Sequence, residues 1–164
     1  MAAGAFFVAV RYSLRQLAAE ALEAVRPMAE KKQIRLETEL SPGVPDALLG
    51  DAEKLKEATV SMLANAVSHS GDGAVRLSVF GKVREETVHL LISVRALPER
   101  EEPDAGQTGR GAVPAEPDLD LHVADSLLAC LGSELKSVRS ADAWKDSYFE
   151  IDQRTADAAE ETER

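Results

Sequence analysis

Apolar residues recur along this chain in two rhythms, one of about 3.6 residues and one of two. Ser13-Leu-Arg-Gln16 reads as a capping box, in which serine and glutamine side chains satisfy each other's free backbone donors. A helix is expected to start at Leu14 and end near Lys31. Ile34, Leu36, Thr38 and Leu40 then alternate with charged residues, which predicts a strand with one buried face, broken by Ser41-Pro-Gly-Val-Pro45. Leu55, Ala58, Met62 and Ala66 return to helical spacing behind Asp51, a residue suited to cap the helix, and Gly71-Asp-Gly73 ends it. Val75, Leu77 and Val79, then Val88, Leu90, Ile92 and Val94, predict an antiparallel hairpin turning around Arg84-Glu85-Glu86.

Residues 96–117 lose this periodicity and fill with Pro, Gly and Glu, as a long mobile loop would. Leu121, Ala124, Leu127, Leu128 and Leu131 resume a helical stripe that stops at Gly132. Two last strands are expected at 135–138 and 148–151, and 154–164 reads as an acidic tail with too little apolar surface to order itself. Helices gathered on one face of a mixed, mainly antiparallel sheet make an α+β two-layer sandwich, expected to occupy 1–153 as one domain.

Composition narrows the function. The 164 residues suit one domain with a sizeable core, and a net charge of −10 argues against a nucleic-acid or anionic membrane surface. The apolar run at 2–10 lacks a preceding basic region and is shorter than the roughly 20 residues that span a bilayer. It reads instead as a strand rich in Phe and Val. Exposed at a sheet edge, that strand would invite a second copy, so a homodimer contact is one expectation there. Cys130 stands among leucines as a small buried thiol, and a single cysteine builds no disulfide framework, which suits a reducing, cytoplasmic compartment.

The candidate chemistry lies on the helix behind Asp51. Glu57, Ser61, Asn65 and Ser68 follow at intervals of four, four and three, forming a polar stripe beside the apolar one. Such stripes are usually solvated faces. With Leu14-Arg-Gln-Leu17, Val25-Arg-Pro-Met-Ala29, Ile34-Arg-Leu-Glu-Thr-Glu-Leu40 and Gly50-Asp51 ahead of it, however, the helix resembles the N-box helix of the histidine-kinase catalytic and ATP-binding domain, within the GHKL ATPases. The resemblance runs over about 13–151, with specific motifs in the first half and hydrophobic pattern in the second. It implies the same α+β sandwich, of the Bergerat type.

The resemblance also implies a site. Asn65 matches the asparagine that helps hold Mg²⁺ against the ATP phosphates, a hard oxygen ligand suited to that ion. Ser61 stands where a second asparagine is usual, and Glu57 matches the position that polarises the attacking group in several branches. Ser68 stands where a lysine or arginine commonly reaches the phosphates. Ala96 falls on the aspartate that accepts the adenine amino group, with Pro98 and Arg100 on the neighbouring glycines. Asp118-Leu-Asp-Leu121 replaces the Gly-x-Gly-Leu that opens the following helix onto the phosphates. Asp118 and Asp120 suit a helix cap, and their charge would repel an anion.

The resulting expectation is a degenerate kinase-like domain, a regulatory or docking module in two-component signalling that needs no cofactor. Its partner would be a kinase dimerisation domain or a response regulator. Two alternatives stay open. One is an active ATP-dependent histidine kinase domain that uses Mg-ATP through Asn65 and Glu57. The other is a phosphotransfer protein with a vestigial ATPase domain, although His69, His89 and His122 do not begin the His-Glu or His-Asp pattern of a phosphoacceptor hairpin.

Overall fold

A computed structural model describes residues 10–70, 73–97, 119–139 and 145–155. Helix α1 spans Leu14–Lys31 and is capped by Ser13, whose hydroxyl accepts from the Gln16 amide at 3.1 Å. Asp46 adds a non-local tie: its carboxylate accepts from the Ser13 hydroxyl at 2.7 Å and the Arg15 amide at 2.8 Å. Helix α2 spans Ala52–His69 and helix α3 spans Leu119–Cys130. The end of α3 closes through Gly132 at φ +81°, with the Ser133 amide bonded to the Leu128 carbonyl and the Gly132 amide to that of Ala129. Only a residue free of a Cβ adopts that turn at little cost.

The strands are β1 (Val10–Ser13), β2 (Arg35–Leu40), β3 (Ala47–Gly50), β4 (Ala74–Arg84), β5 (Thr87–Leu97), β6 (Lys136–Arg139) and β7 (Lys145–Thr155). They form one sheet in the order β1-β3-β7-β5-β4-β2, with β6 also paired to β7. The β2–β4 pair is parallel and the others antiparallel, so the sheet is mixed and mainly antiparallel as expected. Val75, Leu77 and Val79 of β4, Val88, Leu90, Ile92 and Val94 of β5, and Phe149 and Ile151 of β7 form its buried face. Against it pack Leu17, Ala21 and Val25 of α1, Leu55, Met62 and Leu63 of α2, and Ala124 and Leu128 of α3, in one continuous core. The fold is the α+β two-layer sandwich.

Four features depart from the sequence reading. Strand β3 was not expected, and Val10 belongs to a short β1 that pairs with it; the rest of the 2–10 run lies outside the described residues. Strand β7 runs through Arg154 and Thr155, where the tail was expected to begin, because these residues pair with Leu49 and Leu48 of β3 and the Thr155 amide reaches the Glu86 carbonyl at 3.0 Å. Ala96 and Leu97 continue β5 instead of opening the loop, since Ala74 and Val75 are there to pair with them. Residues 98–118 and 156–164 lie outside the described residues. Cys130, expected to be buried, is exposed at the end of α3.

Candidate functional site

Helix α2 lies between α1 and α3 and packs against both. Asp51 caps it, accepting from the Lys54 amide at 3.3 Å and pairing with the Lys54 ammonium at 3.0 Å. The hydrogen bond and charge of Asp51 hold the Lys54 amine above its usual pKa. The apolar stripe is buried: Leu55, Ala58 and Met62 are all at most 1% exposed. Ala66 is only partly buried.

The polar stripe does not behave as one solvated face. Glu57 and Ser68 are exposed and Ser61 is half-buried, but Asn65 is only 4% exposed. Burying an amide without partners costs about 1–3 kcal/mol, so an asparagine so placed is held by its neighbours; Asn65 takes part in such an interaction.

Several side chains reinforce the last turn of α2. His69 Nδ1 lies 3.0 Å from the Asn65 carbonyl, and the Ser70 hydroxyl donates to that of Ala66 at 2.7 Å. Lys32, the residue that ends α1, donates from Nζ to the carbonyls of Val67 and Ser68, both at 2.9 Å. The Val67 carbonyl also accepts from the Ser70 amide at 3.2 Å, and a cation at this helix end suits the helix dipole. Nothing local in the sequence points to Lys32, because 35 and 36 residues separate the partners. The pairing depends on how α1 and α2 pack.

Pairing sets Ala96 near the point where the chain leaves α2 for β4. Ala96 faces Val75 across the β4–β5 ladder, and Val75 lies five residues after Ser70, which caps α2. The alternation of β5 puts Ala96 on the row of Val94 and Ile92, facing the helices. It offers a methyl group there.

Helix α3, which opens within the Asp118-Leu-Asp-Leu121 segment, packs against α2. Lys54, in the first turn of α2, lies within electrostatic reach of Cys130, the last residue of α3. A helix of 12 residues is about 18 Å long. With α3 packed along α2, its first turn, which contains Asp120, comes towards the part of α2 that carries Asn65. Asp118 lies outside the described residues, as does the side chain of Asp120. On the resemblance, positions 68 and 96 are where triphosphate and adenine would need a cation and an acceptor; a hydroxyl and a methyl stand there.

Known proteins bear on this arrangement. No family model matches the chain. The circadian input-output histidine kinase CikA of Thermosynechococcus vestitus is 35% identical over 57 residues, covering 34% of this chain and 8% of that protein. The sensor histidine kinase GacS of Pseudomonas protegens is 28% identical over 87 residues, covering 52% and 10%. The chain thus spans about a tenth or less of the curated relatives it matches. Among solved structures, full-length ShkA in complex with AMPPNP superposes with a TM-score of 0.71 at 22% identity, over 93% of this chain and 33% of that one. The nucleotide-free catalytic domain of histidine kinase ThkA superposes with a TM-score of 0.58 at 15% identity, over 89% of this chain and 96% of that domain. This chain has the fold of the histidine-kinase catalytic domain, and the curated proteins it matches are histidine kinases.

Proposed function

We propose that this domain is a degenerate histidine-kinase-like ATPase module, which serves two-component signalling in the cytoplasm as a regulatory or docking unit with weak or lost nucleotide binding. Its partner on this reading is a kinase dimerisation domain or a response regulator. The observation that carries the reading is Ala96. It stands on the helix-facing row of β5, paired with Val75 shortly after the chain leaves α2, where on this reading adenine recognition needs a side-chain acceptor. Loss of such an acceptor costs about 1–3 kcal/mol of binding, and the missing cation at Ser68 adds to it. The module needs no bound cofactor. It acts through its surfaces.

A second reading, a working ATP-dependent histidine kinase domain, is favoured by the burial of Asn65. A magnesium-directed amide would be held in the fold in this way, with Glu57 polarising the attacking group. Thermal denaturation with and without millimolar Mg-ATP separates the two. A ligand at about 100 times its dissociation constant stabilises the folded state by roughly 2.7 kcal/mol, enough to raise the melting temperature by several degrees. No shift is expected. A Mg²⁺-dependent rise that Asn65→Ala abolishes would establish the second reading instead.

A further inference from the structure

His89 stands on the outer face of the sheet, away from the helices and independent of any nucleotide site. It pairs in register with Asp152 of β7, two residues beyond Glu150 on the same face. Its Nδ1 lies 2.7 Å from Asp152 Oδ1 and its Nε2 lies 2.7 Å from Glu150 Oε1. A carboxylate accepts and does not donate, so both ring nitrogens must carry hydrogen. Only the imidazolium does. In the neutral ring one lone pair would face an anion at bonding distance.

We propose that His89 is a pH-operated staple: as the imidazolium it bridges Glu150 and Asp152 and holds the C-terminal half of β7 on β5, and as the neutral ring it lets that half loosen. The hydrogen bonds to Asp152 and Glu150 raise the pKa of His89 above its ordinary value, with slight burial opposing them. Other charges surround it. Lys82 faces it in register from β4, with Arg84 and Glu85 at the hairpin end, and they line a shallow outer pocket together with Thr87, His89 and Asp152. Arg154 of β7 is paired with Glu86 at 3.5 Å. The two cations of β4 oppose a third positive charge, but the two carboxylates lie at bonding distance.

What the staple steadies matters beyond its own strand. Next to Asp152, Gln153 accepts from the Tyr12 hydroxyl at 2.7 Å, and Arg154 and Thr155 hold β3. Strand β3 ends at Gly50, directly before the Asp51 cap of α2. Release of His89 therefore loosens the part of the sheet that leads into α2.

The sign follows from the raised folded-state pKa. The contribution is fully present below the unfolded value of about 6.5 and is lost as pH rises through the folded value. The test is NMR of the intact chain between pH 6 and 9, following the His89 ring protons and amide exchange corrected for intrinsic rates. The ring should titrate above about 6.5. Protection at 151–155 should fall about two- to fivefold past that midpoint relative to 75–79, the scale of an exposed ion pair. In His89→Gln, exchange at 151–155 should lose this pH dependence, and in the double variant Glu150→Gln, Asp152→Asn the midpoint should return to about 6.5. A midpoint at or below about 6.5 in the unaltered chain would overturn the proposal. So would protection that ignores pH, or an equal fall in His89→Gln.

Discussion

Lys32 and Ser68 meet across the junction of two helices: the lysine that closes α1 donates from Nζ to the carbonyl of Ser68 at 2.9 Å, on the last turn of α2. The same ammonium holds the carbonyl of Val67. One side chain thus ties the end of one helix to the end of the next, three residues from Asn65. Ser68 stands where the resemblance implies a lysine or arginine, and a cation from α1 serves the backbone of that very residue.

Lys32→Met keeps the aliphatic stem and removes this tie. A charged hydrogen bond near the surface, together with the helix-end dipole, contributes about 1 kcal/mol. Chemical denaturation should show a loss of that order, and amides at 66–70 should exchange faster than the rest of α2. Unchanged stability with unchanged exchange would mean that solvent satisfies the two carbonyls equally well.

Gly50 approaches the end of the Gln153 side chain closely. A Cβ built on it would overlap Gln153 Oε1, the atom that accepts from Tyr12. Gly50→Ala should therefore destabilise the domain by about 1–3 kcal/mol, and shortening the neighbour in Gly50→Ala, Gln153→Ala should recover part of that loss. Additive losses in the double variant would sink this account.

The faces of α2 can be tested by charge. Met62 is fully buried at 0% exposure and Glu57 is exposed. Met62→Asp should unfold the domain or lower its melting temperature by more than 10 °C, because an unpaired carboxylate would enter the core, whereas Glu57→Ala should shift it by only about a degree or two. Equal melting temperatures for the two variants would refute the assignment.

If the nucleotide site was lost through a few side chains, putting them back should restore weak binding. The variant Ala96→Asp, Asp118→Gly, Asp120→Gly supplies a side-chain acceptor at position 96 and removes the carboxylates at positions 118 and 120. Calorimetric titration with Mg-ATP should then reveal binding where the unaltered chain shows none. Failure to bind in a variant that still folds would show that these three side chains are not the cause, leaving Ser68 or the backbone.

Most of the architecture was legible in the order of residues because it is set by local rules. Ser13, Asp51 and Gly132 mark helix ends by satisfying neighbouring backbone groups, and the alternation from Val75 to Val94 marks a hairpin whatever surrounds it. Strand β3 escaped because four residues between Asp46 and Asp51 are too few to show a period, and they become a strand only by lying between β1 and β7. Arg154 and Thr155 look like tail for the same reason: their polar side chains say nothing of the backbone partners in β3. Position on the polar stripe was readable for Asn65, but packing decided that it is buried while Ser68 is not. Lys32 on the carbonyls of α2, and His89 between Glu150 and Asp152, join residues 35 to 63 positions apart. Spacing along a chain carries no record of such meetings, since strand register and helix packing create them.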